Sequence, residues 1–266
     1  MKKIILATVG SMLLGTPAFA ADMAARTYTK APAIAASVYN WGGFYLGING
    51  GGGSAHTCWD VTNNAGLPVA PPLAEGCHNA TGGTVGGQIG YRWQATNWVF
   101  GLEAQGNWAD FKGSNANQFA VIGGTSFFND NTKVDAFGLF TGQIGYAWNN
   151  VLLYAKGGAA VVHDKYSLTF TPTGAALVGG IAAGQTLSTG SETRWGGAVG
   201  AGLEFGFAPN WSVAVEYDHL FMGRRDIAQN VVPFVGPSST HRIGQDIDVG
   251  TVRVNYTFGG PVIAKY

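Results

Sequence analysis

Charge is what this chain has least of. Only 15 basic and 15 acidic residues occur among 266, or 11% of the whole, where an ordinary soluble domain carries about a quarter. A surface so poor in charge does not suit a protein dissolved in water. The even balance of signs leaves no basic field for a nucleic-acid backbone, so nucleic acid is excluded as a partner. Long apolar runs are missing as well. The stretch from Ile4 to Leu14 is about half the roughly 20 residues that a helix needs to span a bilayer. The run from Ala175 to Ile181 is shorter still and rich in Gly. Cysteine is reduced to Cys58 and Cys77, with no CxxC or Cys/His metal spacing, so neither a metal nor a cofactor is expected. Disorder is excluded by what remains: 46% hydrophobic residues, with 8 Trp, 10 Tyr and 15 Phe, too much apolar surface to stay solvated.

Catalytic motifs are also absent. No GxSxG, HExxH, P-loop or complete GxGxxG occurs, and Gly200-Ala201-Gly202 has Phe205 where the third glycine would stand. Asp218-His219 and His163-Asp164 are the acid–base neighbours worth naming. Adjacent residues on a strand point to opposite faces, so no catalytic residue is assigned and no enzyme is expected.

What is present begins with an address. Lys2 and Lys3 precede the apolar stretch, and Ala18-x-Ala20 supplies the small residues read by a signal peptidase. Residues 1–20 read as a secretory signal peptide. Cleavage leaves 13 basic against 15 acidic residues, a formal charge of about −2. In an exported chain, Cys58 and Cys77 are expected to pair.

From Trp41 onward the apolar period is two. Phe44, Leu46 and Ile48 form the first run; Val85, Ile89, Tyr91 and Trp93 the second; Trp98, Phe100 and Leu102 the third. Phe140 to Trp148, Val151 to Val161, Trp195 to Phe207, Trp211 to Tyr217 and Val252 to Phe258 continue the pattern, making eight strands. Tight turns at 94–97, 149–150 and 208–210 alternate with long polar stretches near 55–82, 113–133, 167–192 and 223–245. This is the plan of an all-β, eight-stranded antiparallel up-and-down transmembrane barrel, with short periplasmic turns and four long extracellular loops. Residues 21–40 read as a periplasmic linker, 41–258 as the barrel and 259–266 as a C-terminal extension.

The apolar face is outward, because Glu103, Lys156, Glu216 and Arg253 share the opposite parity with Gly, Ser, Thr and Gln. Eight strands leave an interior just wide enough for side chains. These four charges are therefore expected to neutralise one another as a lumen network. Trp41, Trp93, Trp98, Trp148 and Trp211 fall at the short-turn ends and read as an aromatic girdle.

The motifs Trp41-Gly42-Gly43-Phe44-Tyr45-Leu46-Gly47, Gly90-Tyr91-Arg92-Trp93, Leu153-Tyr154-Ala155-Lys156-Gly157-Gly158 and the closing Tyr256-Thr257-Phe258 carry a family likeness. The chain resembles the small alphaproteobacterial outer-membrane β-barrel proteins of the RopB type, which include immunogenic surface antigens and some hemin-binding proteins. The resemblance implies a place in the Gram-negative outer membrane, contact with its lipid and lipopolysaccharide, and insertion by the barrel assembly machinery. Such proteins usually end at the closing Phe, whereas this chain continues to Tyr266, leaving Phe258 and Tyr266 as alternative assembly signals.

The expected role is structural, that of a surface antigen in the cell envelope; a small diffusion porin and a hemin-binding receptor are the alternatives. His56, His78, His163, His219 and His241 all fall on the long-loop side and are the candidate hemin or metal ligands. No spacing fixes two of them on one centre.

Overall fold

The computed structural model describes residues 39–64, 66–119, 121–178, 180–231 and 239–259. The expected signal peptide, nearly all of the linker and the extension beyond Gly259, with Tyr266, lie outside these residues. Ten strands and one helix follow in order: β1 (Gly43–Asn64), β2 (Leu67–Ala95), β3 (Trp98–Ala116), β4 (Val121–Ile122), β5 (Thr125–Ser126), β6 (Phe128–Trp148), β7 (Val151–Phe170), α1 (Pro172–Val178), β8 (Thr186–Ala208), β9 (Trp211–Val231) and β10 (Ser239–Phe258). Strands β4 and β5 form a small separate hairpin. The other eight close into an antiparallel barrel in the order β1-β10-β9-β8-β7-β6-β3-β2. Its seam is sealed by pairs running from Phe44 opposite Phe258 to Asn63 opposite Thr240.

The short turns work because Asn tolerates a left-handed backbone that two-residue hairpins require. Asn149 and Asn210 have φ of 53° and 70°, and Thr96 has 56°. Each turn also grips the next hairpin. Asn97, Asn150 and Asn210 donate side-chain hydrogen bonds to the carbonyls of Ala147, Gly206 and Thr257 at 3.0, 3.2 and 2.7 Å. Their own carbonyls accept from the same three residues at 2.7 to 2.8 Å.

The stretches read as long loops are largely strand. Nearly all of 55–82 is the arms of β1 and β2, similar arms occupy most of the described part of 223–245, and in 113–133 and 167–192 they flank the β4-β5 hairpin and α1 respectively. Asp, Asn, Lys and Gly lowered their apparent strand character, yet backbone pairing continues, as in Lys112 opposite Lys133 and Lys133 opposite Lys165.

Outward apolar residues define a band. Trp93, Trp98, Trp148, Trp211 and Phe258 ring the short-turn end, and Trp108, Phe140, Trp195 and Phe221 stand farther up, all exposed. Ten residues separate Trp98 from Trp108, roughly 33 Å of strand, or about 25 Å after barrel tilt, which matches the apolar band of an outer-membrane barrel. Trp41 does not join the girdle. It precedes β1, so strand parity does not reach it, and it is buried in the mouth of the barrel, donating from Nε1 to the Asn149 carbonyl at 3.2 Å.

Inside, polarity is layered rather than uniform. Polar and charged residues fill the lumen within the band. Above them lies an apolar plug of Ala55, Phe111, Val134, Phe137, Leu139, Val162, Leu220, Ile247 and their neighbours. On β10 the odd positions face inward throughout, but the apolar residues change sides: Val252 and Phe258 face out while Arg253 and Asn255 face in, and higher up Ile243, Ile247 and Val249 face in. On β3 the same change lies between outward Trp108 and inward Phe111, where a β-bulge also shifts the register against β6. Apolar-in and polar-out is the pattern of a barrel wall in water, so the arms project beyond the band.

Candidate functional site

Three sets of residues carry chemistry, and the deepest is the charged layer in the lumen. Register places Lys156 on β7 beside Gln143 on β6, and Thr251 on β10 beside Glu216 on β9. Arg253 spans two acids, Glu103 at 2.5 Å and Glu216 by a short contact. Lys156 Nζ meets Glu216 at 2.7 Å, Asp218 at 3.2 Å and Glu103 at 3.5 Å. All five side chains are buried. The barrel thus brings Glu103, Lys156, Glu216 and Arg253 onto one centre, with Asp218 as a fifth member.

Two tyrosines complete the layer. Tyr45 donates to Glu103 at 2.7 Å and Tyr154 to Glu216 at 2.6 Å. Glycines make their room: a Cβ on Gly90 or Gly202 would lie 2.5 Å from the ring of Tyr45 or Tyr154 respectively. Nearer the short turns, Arg92 pairs with Glu204 at 2.8 Å and lies 4.3 Å over the Tyr45 ring. Ser212 and Asn255 also donate to Glu204. Sequence reasoning missed Glu204, Asp218 and the tyrosines. Parity marks them as inward, but only the cross-lumen geometry shows which inward residues meet.

The second set crosses the interior of the arms. Arg194 binds Asp164 at 3.3 Å and the Tyr166 hydroxyl, while Gln245 donates to Asp164 at 3.1 Å. Higher still, His241 donates to Glu75 at 2.6 Å, and the Asn117 amide bridges Glu75 and Asp130, both at 2.9 Å. Burial pushes the Asp130 carboxyl up to about 8, the Asn117 hydrogen bond opposing and the Glu75 charge adding to the rise. His78 donates to Asn115 at 2.6 Å, and burial holds its imidazole below the ordinary value.

The third set is the disulfide Cys58–Cys77, which joins directly opposed residues of β1 and β2 with Cα atoms 4.1 Å apart. His56 lies within 4.8 Å of both sulfurs, but the bridge occupies the thiols. The five histidines are not brought together. His56 bonds Asn79, His78 Asn115, His163 Thr193, His219 Asp248 and His241 Glu75. Likewise Asp218 turns inward to Lys156 while His219 turns outward to Asp248, and Asp164 turns inward while His163 does not. Neither neighbouring pair shares a centre.

The protein-family model described as an outer membrane protein beta-barrel domain matches residues 8–258. A 31 kDa outer-membrane immunogenic protein, found in both Brucella melitensis and Brucella suis, is 30% identical, covering 97% of this chain and all of that protein. Among solved structures, the outer membrane protease OmpT of Escherichia coli aligns over 81% of this chain and 97% of its own, at 10% identity and TM-score 0.46. The outer membrane protein OprG of Pseudomonas aeruginosa aligns over 82% and 97%, at 13% identity and TM-score 0.45.

Proposed function

The chain belongs to the outer membrane protein beta-barrel family and resides in the cell outer membrane, and from that premise we propose that it is a closed, non-catalytic envelope barrel that displays its strand arms as a surface antigen. The observation that carries this reading is the doubly filled lumen. A charged layer bound by Arg92, Lys156 and Arg253 lies below the apolar plug centred on Phe137, Leu139 and Leu220. Solute passage would have to break ion pairs in a nearly dry interior and then cross a layer without polar partners. The antigen role draws on the immunogenic relatives, whose similarity covers the arms as well as the band. A hemin receptor would need imidazoles converging on one iron, whereas each histidine here is held by a different partner.

Planar-bilayer recording of the purified protein tests the reading. The expected trace is electrically silent or shows only rare brief events. A large, steady single-channel conductance would overturn it in favour of a porin.

A further inference from the structure

The arms carry a row of lysines on the outside of the barrel. Lys112 on β3, Lys133 on β6 and Lys165 on β7 are register partners in succession, with Ser191 of β8 next in line. Neighbouring strands are about 4.8 Å apart, and like charges directly opposed on a sheet are unfavourable. Two aspartates relieve the row only in part: Asp110 lies 2.8 Å from Lys112, and Asp135 lies 2.7 Å from Lys133 and 2.6 Å from Lys165. Three ammonium groups thus face two carboxylates. The lysine side chains remain 63%, 39% and 57% exposed, so each keeps donors free for an outside acceptor.

The row borders a concavity of about 890 Å³ whose other outward lining includes Ser114, Asn131, Ser167, Thr169 and Thr189. Its height is set by register. Trp108 pairs with Ala136 and Trp195 with Val161, and the lysine row stands four residues above each tryptophan. Four residues are about 13 Å of strand, or roughly 10 Å vertically after tilt. That is the headgroup level of the outer leaflet. Below it the same strands offer the leaflet a shallow apolar face, with Phe140 and Trp195 stacked at 6.2 Å beside Gly106 and Gly138.

We propose that Lys112, Lys133 and Lys165 form a binding site for the phosphorylated headgroup of an outer-leaflet glycolipid, with the donors above them taking its sugar hydroxyls and the apolar face below taking its acyl chains. A phosphate bridging adjacent lysines supplies the negative charge that the row lacks, through charge-assisted hydrogen bonds. The inference rests on the outer-membrane placement but not on the closed lumen, so lipid binding and conductance succeed or fail separately.

The test is native mass spectrometry of the full-length protein purified in detergent micelles and titrated with bisphosphorylated lipid A, the same lipid A after dephosphorylation, or inorganic phosphate. Near the membrane a lysine contributes roughly fivefold in affinity for anionic lipid, so replacing all three by Gln should weaken lipid A binding about a hundredfold. Lys133→Gln alone should weaken it roughly fivefold and serves if the triple variant does not fold. Dephosphorylated lipid A should bind the wild type as weakly as lipid A binds the triple variant. Arg224→Gln with Arg225→Gln, on β9, should leave binding unchanged. Unaltered binding by the lysine variants, equal loss in the arginine variant, or displacement of lipid A by an equal concentration of inorganic phosphate would each overturn the proposal.

Discussion

At the scale of single residues, the buried acid at the top of the arms makes the protein sensitive to pH. Asp130 moves from an ordinary 3.8 to about 8 because burial disfavours its charge, with Asn117 opposing and Glu75 reinforcing the rise. Between those values the folded arms hold a proton that the unfolded chain has released. This contribution to stability is therefore complete below about 4 and is lost as pH rises through about 8. Hydrogen exchange at the amides near Asn117 and Asp130 should show protection falling from pH 5 to 8.5 relative to the Asp130→Asn protein, in which that difference is absent. Equal pH dependence in the two proteins would show that the carboxyl does not titrate there. Glu204, Asp218 and Tyr45 were invisible as a set for a related reason: a period of two gives the face of a residue, but a partner across the lumen depends on ring closure and stagger.

At the scale of elements, the hairpins explain both what could be read in sequence and what could not. Within the apolar band, residues such as Leu102, Ile144, Val199 and Val215 alternate with polar neighbours, and the structure exposes all four. The tight turns were legible because Asn149 and Asn210 supply left-handed backbone. Beyond the band the alternation reverses, so Ile243 and Ile247 turn inward while Asp246 and Asp248 turn outward. A reader following one parity reaches these residues and sees a polar loop. The signal that would have found the arms is the shift of apolar residues to the other parity, as from Val249 to Val252. The disulfide belongs to this region, closing 19 residues of sequence on a hairpin that is already paired. In the chain-entropy description such a bridge contributes roughly 3 kcal/mol. Much of that is local to the first arm. Cys58→Ser should raise protease sensitivity around residues 60–75 while the protein still inserts, with fractionation and limited proteolysis as readouts; complete failure of assembly would place the bridge in the folding of the whole barrel.

At the scale of the whole molecule, the lumen charges act as one unit because Lys156 and Arg253 share Glu103 and Glu216. Removing one member of a buried ionic group commonly costs about 3–5 kcal/mol, since the remaining charges lose their partner. Lys156→Met should therefore destabilise the barrel by about that amount. Combining it with Asp218→Asn removes an acid together with the base and leaves Arg253 between its two glutamates, so the double variant should be more stable than Lys156→Met alone. Reversible urea unfolding in lipid vesicles measures the coupling through the double-mutant cycle. Strict additivity would mean that Lys156 and Asp218 act independently.

The change of parity also divides the molecule by temperature. Below it, the outer wall rests in hydrocarbon and the interior is held by ions and hydrogen bonds. Above it, Phe111, Phe137, Trp59, Ile243 and their neighbours are packed inside a wall that faces water. Burial of that kind weakens on cooling, because near room temperature its driving force comes from the entropy of the solvent. The arms above the band should therefore loosen in the cold before the part held in the bilayer does. Chilling would change the arms first and leave the anchor in place.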